Sequence, residues 1–248
     1  MVKGLDTFQK YFADYEEQYV LIGGAACDIL FESNEVNFRA TRDLDMVLIV
    51  EALTPEFGEK FWKFIVDGKY RNKATNGSNP QFYRFDKPED DNFPKMIELF
   101  CRSDFKLKDA KGITPIHIDD EVSSLSAILL NDDYYKALLN GKEVRKGLSV
   151  LRPEYIILFK AKAYLDLKRQ KDLGEKVDSS DIKKHKKDVL RIASELMLEK
   201  VEELPIAVDA DIHSFIDLLE QEPFDQNSLK RFGLKNDDVV EVLKQVFG

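Results

Sequence analysis

Hydrophobic and polar positions follow different periods along the first half of the chain. Short apolar runs, residues 19–22 and 46–50, alternate with segments of helical period such as residues 25–31. Short apolar runs bounded by turn residues favour buried strands, whereas apolar positions three and four residues apart favour amphipathic helices. A further helix is predicted to begin at Thr54 and Pro55, because threonine is a good cap and proline fits the first helical position. This half is therefore predicted to be a sheet flanked by helices.

More strands are predicted between residues 81 and 151. Residues 81–86 and 96–102 have the pattern of a hairpin closed by an acidic turn, and residues 113–118 form another apolar run. Residues 144–151 are predicted as a short strand or edge segment. Residues 123–139 are ambiguous at their start, but their second part, NDDYYKALL, favours a helix.

From residue 152 onward the pattern is helical. Ser179 and Asp237 are expected to cap the second and the last helix. The fold class is therefore α+β, a mixed sheet flanked by helices and followed by an α-helical C-terminal domain, with domains predicted over residues 1–151 and 152–248. Four helices are predicted in the second domain, over residues 154–173, 179–198, 209–220 and 237–247.

Composition limits the class of protein. Hydrophobic residues make up 44% of the 248 residues and charged residues 33%, which is typical of a globular protein. No apolar run approaches the roughly 20 residues of a membrane span, and the first residues lack a signal core. Cys27 and Cys101 lie in apolar segments, so we expect buried thiols in a cytoplasmic protein. A net charge of −9 argues against a nucleic-acid coating protein but leaves a local basic groove open.

The first candidate chemistry lies at the ends of the two apolar runs. Gly23 and Gly24 follow the first run, where glycine lets backbone N–H groups approach a phosphate at a helix start. Asp43 and Asp45 open the second run and, being two residues apart in a strand, share a face. Two adjacent carboxylates repel each other unless a cation lies between them. The pattern predicts a divalent-metal site beside the glycine turn.

A metal site of this kind needs a third carboxylate on a neighbouring strand. Glu98 is the best candidate, because it lies between Ile97 and Leu99 in a segment otherwise suited to burial. The alternative is an outward-facing strand position without a role in binding.

The residues of this stretch resemble the nucleotidyltransferase superfamily related to DNA polymerase β. The closer resemblance is to the abortive-infection nucleotidyltransferase toxins of bacteria, of the AbiEii type, which pair GG-x-A with R-x-S/T-x-D-x-D. The chain departs from the pattern with a glutamate, Glu98, at the third acidic position and with Arg191 where the family often has an acid. The matching positions are Gly23, Gly24, Ala26, Arg39, Thr41, Asp43 and Asp45.

The resemblance implies transfer of a nucleoside monophosphate from an NTP to an acceptor, with Mg²⁺ or Mn²⁺ as cofactor. It implies that Asp43, Asp45 and Glu98 are the catalytic and metal-binding residues. RNA, protein or a small molecule are the candidate acceptors, and a toxin of this kind would have a cognate antitoxin. The implied nucleotide-binding residues are Gly23, Gly24, Arg39, Thr41 and Lys160.

The helical half contributes the remaining candidates. Lys160, in a K-x-x-A helix, would stabilise triphosphate charge, and Lys187-Asp188 matches the basic-Asp pair of the family. A solvated helix face is the alternative for Lys160. Between residues 160 and 191 there are eleven Lys or Arg against six Asp or Glu, an excess that suits either an RNA groove or solvated helices.

Two hypotheses therefore stand. The first is an active metal-dependent nucleotidyltransferase, with a toxin role in phage defence as one version. The second is a catalytically inactive protein of the same fold with a binding or regulatory role, suggested by the atypical Glu98.

Overall fold

The computed structural model describes residues 2–32, 43–72, 82–101, 128 and 131–248. They fall into two compact units. The first unit, the α/β unit, holds the described residues up to 101 together with Lys142–Arg152. The second, the helical unit, holds Ile128, residues 131–141 and Pro153–Gly248.

The α/β unit is built on a mixed sheet. Among the described residues its seven strands are β1 (Tyr19–Ile22), β2 (Asp43–Leu48), β3 (Arg71–Asn72), β4 (Phe82–Asp86), β5 (Met96–Cys101), β6 (Lys142–Arg145) and β7 (Leu148–Leu151). Their order across the sheet is β3-β4-β5-β2-β1-β7-β6. Strands β2 and β5 pair in parallel, as do β1 and β7, and the other neighbours are antiparallel. The predicted mixed sheet is confirmed.

The segment predicted as one strand over residues 144–151 is instead a hairpin. Lys146 and Gly147 join β6 to β7, and both have positive φ, 51° and 66°. A two-residue turn with both φ values positive matches the twist of antiparallel strands. The single-strand prediction was wrong because lysine gives no sequence signal for this conformation.

Within the described part of the α/β unit, three α-helices flank the sheet: α1 (Leu5–Phe12), α2 (Gly23–Glu32) and α3 (Pro55–Asp67). Aromatic rings of α1 and α3 form much of the core. Phe12 and Phe64 are fully buried with ring centroids 5.4 Å apart. The predicted start of α3 is confirmed, because the Thr54 hydroxyl accepts a hydrogen bond from Phe57 N at 3.3 Å and Pro55 is the first helical residue.

The helical unit contains six helices within the described residues. They are α4 (Asp132–Asn140), α5 (Pro153–Asp172), α6 (Ser179–Glu195), α7 (Ile206–Gln221), α8 (Gln226–Phe232) and α9 (Asn236–Phe247). Helix α5 packs against α6 and α7, and α4 also packs against α7. The helical prediction for NDDYYKALL and for the C-terminal half is confirmed.

Two of the expected helix caps were wrong. The cap of α6 is Asp178, whose carboxylate accepts from Ser180 N at 2.8 Å, and Ser179 is already helical. Helix α9 begins one residue before Asp237, and the Asp238 carboxylate accepts from Lys235 N at 2.7 Å. Both errors are shifts of one or two residues: Ser179 and Asp237 are good capping types, but each already lies within its helix.

Three further points concern the boundaries. Helix α4 precedes residue 152 but belongs to the helical unit, and the domain boundary at 151/152 stays a prediction. The strand predicted over residues 113–118 lies outside the described residues. Within the parts of the chain that the structure covers, no helix combines the length and the apolar character needed to cross a bilayer.

Candidate functional site

Three neighbouring strands bring ionisable side chains into one row. In the parallel β2–β5 pair, Asp45 lies opposite Glu98, and in the antiparallel β4–β5 pair, Arg84 lies opposite Glu98. Residues directly opposite each other project from the same face of a sheet, about 5 Å apart. Asp43, two residues before Asp45, faces the same side. We call Asp43, Asp45 and Glu98 the carboxylate row.

The alternation along β2 separates this row from the core. Leu44 and Met46 are fully buried, whereas Asp43 and Asp45 are partly exposed. A strand with one apolar and one polar face buries the apolar face. The alternation that buries Leu44 and Met46 in the core therefore leaves Asp43 and Asp45 at an accessible surface of the sheet.

The glycine turn lies against the second aspartate. Ile22, the last residue of β1, is opposite Asp45, and the next residue, Gly23, begins α2 with φ of 60°. A Cβ placed on Gly23 would lie 2.3 Å from Asp45 Oδ2. Only a residue without a side chain allows this approach and this left-handed backbone. Gly24 follows as a buried residue of the first helical turn.

Glu98 is buried and forms an ion pair. It is 7% exposed, and its Oε1 accepts from Arg84 Nε at 2.8 Å and from Arg84 Nη2. The guanidinium offsets the cost of burying a carboxylate. Glu98 is therefore buried, although it shares its face of the sheet with the partly exposed Asp43 and Asp45.

Sequence reasoning missed Arg84, although a signal for it was present. The hairpin pairs Asp86 with Met96, the residues next to its turn. Arg84 and Glu98 each lie two residues further from the turn, so they must also be partners. A basic residue and an acidic residue equally distant from a hairpin turn are cross-strand neighbours. This pairing could have been predicted once the hairpin was.

The donor types of the carboxylate row suit a hard divalent cation. Carboxylate oxygens are what Mg²⁺ prefers, and the approach of Asp45 to Gly23 aims one of them at the start of α2. Among the described residues, however, no three or more His, Cys, Asp or Glu side chains are arranged to hold a metal ion. Asp43 and Asp45 are suited to bind a cation, because both are carboxylates on the accessible face of the sheet. Glu98 could bind the same cation only if its carboxylate contacts the cation while paired with Arg84, or if that ion pair opens.

The predicted nucleotide-binding lysine has a partner in the helical unit. Lys160 Nζ lies 3.0 Å from Asp188 Oδ2, and the two side chains are 12% and 6% exposed. This ion pair joins α5 to α6. The interpretation of Lys160 as part of a solvated helix face is therefore wrong, and its contact with a triphosphate stays a prediction.

Two predicted site residues, Arg39 and Thr41, lie outside the described residues. The structure thus brings together Gly23, Asp43, Asp45 and Glu98 within the α/β unit. Their roles, and those of Gly24, Arg39, Thr41 and Lys160, stay predictions.

Comparisons with known proteins add a similarity among solved structures. No protein-family model matches the chain, and no curated protein sequence matches it. Among solved structures, the chain is similar to an antigenic nucleotidyltransferase-like protein from Paracoccidioides brasiliensis, with 14% identity and a TM-score of 0.44. The match covers 97% of this chain and 93% of that one. A similarity at this level defines no activity.

Proposed function

We propose that the chain is a metal-dependent nucleotidyltransferase that transfers a nucleoside monophosphate from an NTP to an acceptor. The observation that carries the proposal is the position of Asp45. It contacts the glycine corner at the start of α2, lies opposite Glu98, and shares its face with Asp43. Backbone N–H groups at a helix start and adjacent carboxylates are complementary parts of a site for a metal-bound triphosphate.

Each residue has a distinct proposed role. Asp43 and Asp45 hold Mg²⁺ or Mn²⁺, which when bound offsets phosphate charge and lowers the pKa of a hydroxyl acceptor. Gly23 and Gly24 present N–H groups to the phosphates. Glu98 accepts the acceptor proton, and Arg84 fixes the orientation of its carboxylate.

The remaining assignments extend this proposal. Arg39, Thr41 and Lys160 are proposed to bind the nucleotide. The proposed acceptor is an RNA, a protein or a small molecule. If the transferase is a toxin, it acts in the cytoplasm and has an antitoxin partner.

The toxin proposal predicts that expression of the wild type arrests bacterial growth and that expression of Asp45→Asn does not.

The test of the transferase is labelling from α-³²P NTPs with Mg²⁺, using the protein itself and total RNA as acceptors. Asp45→Asn is expected to reduce labelling at least about 1,000-fold, because it removes the charge that holds the metal. Asp217→Asn, an exposed aspartate of α7, is the matched control and should label like the wild type. Far-UV circular dichroism checks that both variants are folded. Equal labelling by Asp45→Asn and the wild type would refute the transferase.

A second candidate, an inactive binding or regulatory protein of the same fold, is favoured by one observation. Glu98 is held by Arg84, and no ready three-residue metal group is present in the described part of the chain. Calorimetry separates the two candidates. Binding of an NTP only with Mg²⁺ supports the transferase, whereas no binding heat with or without Mg²⁺ supports the inactive protein.

A further inference from the structure

A pocket of about 570 Å³ lies in the helical unit, away from the carboxylate row in sequence. Its walls are the facing stripes of α5 and α6 and the segment that follows α7. A volume of this size matches a small-molecule site. Five lysines line it: Lys168, Lys171, Lys183, Lys186 and Lys187.

Helical spacing explains why the lysines converge. Lys186 and Lys187 lie three and four residues after Lys183 on α6, so both share a helix face with Lys183. Lys168 and Lys171 have the same spacing on α5. Part of the lysine excess between residues 160 and 191 is thus concentrated in a single concave surface and is not spread over solvated helix faces.

Most of the negative charge in the pocket is already compensated. Glu222 Oε1 accepts from Lys168 Nζ at 2.8 Å. Asp225 caps α8 by accepting from the backbone N–H groups of residues 227 and 228, each at 3.1 Å. Lys183 and Lys187 are exposed at the rim. The five lysines outnumber the three lining carboxylates, and the excess positive charge faces the pocket.

The innermost lysine is held in place by the protein. Lys186 is half-buried and donates to the carbonyl oxygens of Glu222 and Pro223, the latter at 3.2 Å. Its ammonium also lies 5.7 Å from the ring centroid of Tyr164 and 5.5 Å from that of Phe224. Burial lowers its pKa. A preorganised ammonium at the floor and exposed ammonium groups at the rim are suited to an anion larger than one oxyanion.

We propose that this pocket binds a small ligand carrying two or more adjacent phosphate groups. Lys183, Lys187 and Lys171 would contact the phosphates, and Lys186 would set the positive potential of the floor. The volume of the pocket matches a small molecule, whereas RNA is bound along extended basic surfaces that follow its phosphate backbone. The site needs no metal and stands whether or not the chain is a transferase.

The test is isothermal titration of the full chain with inorganic pyrophosphate in EDTA at low salt. The double variant Lys183→Gln/Lys187→Gln should weaken binding about tenfold or more, because it removes two charge-assisted contacts. Lys200→Gln/Lys230→Gln removes two exposed lysines of the same unit outside the pocket and should bind like the wild type. Asp45→Asn should also bind like the wild type, which separates this pocket from the carboxylate row. Circular dichroism confirms that the variants are folded.

Three further ligands identify the source of the phosphates. ADP should compete with pyrophosphate and adenosine should not, if phosphate groups are what the lysines recognise. A 20-nucleotide RNA with a 5′ hydroxyl should bind more weakly than pyrophosphate. The proposal is overturned if wild-type protein does not bind pyrophosphate, if both double variants weaken binding equally, or if the RNA binds more tightly.

Discussion

Among the described residues, each unit of the molecule offers an ion pair with little exposed surface, and these two pairs differ in their surroundings. In the helical unit, Lys160 and Asp188 pair between two helices. In the α/β unit, Arg84 and Glu98 pair between two strands, but Asp45 lies on the next strand and Asp43 two residues away. The strand pair therefore has two further carboxylates on its face of the sheet.

This difference leads to different expectations for the two pairs. Removing one partner of a buried ion pair leaves an uncompensated charge. Where further carboxylates share the same face of the sheet, a divalent cation can stabilise the charge that is left. We therefore expect loss of the helical pair to lower stability, and loss of the strand pair to change both stability and divalent-ion binding.

The largest effect is expected from Asp188→Ala, which breaks the ion pair between Lys160 and Asp188. It leaves the Lys160 ammonium buried without its carboxylate and should lower the free energy of unfolding of the helical unit by about 3–5 kcal/mol. Urea unfolding followed at 222 nm measures this change. Lys244→Ala, which removes the exposed pair with Glu220, is the control and should leave the curve unchanged. A change as small as that of the control would mean that Lys160 and Asp188 do not stabilise the unit.

A smaller effect, about 2–3 kcal/mol, is expected from Arg84→Met, because the pair it breaks is more exposed than that of Lys160 and Asp188. The fluorescence of Trp62, the single tryptophan of the chain, reports unfolding of the α/β unit. Mg²⁺ at 10 mM should restore more stability to this variant than it adds to the wild type, because Glu98, which lies opposite Asp45, has then lost the Arg84 guanidinium. Adding Asp45→Asn should abolish the rescue. A variant that does not respond to Mg²⁺ would contradict the proposed cation site.

The smallest effect is the difference between two glycine substitutions. Gly23→Ala and Gly174→Ala both place alanine at positive φ, 60° and 84°, but only the first brings a Cβ against Asp45. Among the described residues, no heavy atom beyond its chain neighbours lies within 4 Å of a Cβ on Gly174. Gly23→Ala should therefore cost about 1–2 kcal/mol more than Gly174→Ala in urea unfolding. Equal costs would show that the contact with Asp45 is not close in solution.

The sequence predicts the elements of this fold better than their exact ends. Thr54 and Pro55 define the start of α3 because both act through local backbone geometry. The positive φ of Lys146 could not be predicted, since lysine rarely adopts it and only the pairing of β6 with β7 imposes it. The assignment of α4 to the helical unit depends on packing against α7, which no local pattern encodes.

The sequence predicted those parts of the candidate site that depend on the alternation of side chains along a strand. It did not predict the ion-pair partners of the site residues. Two-residue spacing was enough to place Asp43 and Asp45 on one face, and a hairpin pattern was enough to locate Glu98. The ion pair of Glu98 requires the strand register, and that of Lys160 requires the packing of α5 on α6. Such contacts join residues distant in sequence, so a pattern within one segment does not contain them.

The parallel pairing of Leu21 with Val150 has a consequence for biosynthesis. Since the ribosome delivers the chain from its N-terminus, β1 emerges early but obtains β7 only after more than a hundred further residues have been translated. Until then one side of β1 carries backbone groups that no neighbour pairs, which is the situation that invites mispairing with other nascent chains. We expect a chaperone that binds extended apolar segments to associate with this stretch during translation and to leave once residue 151 has emerged.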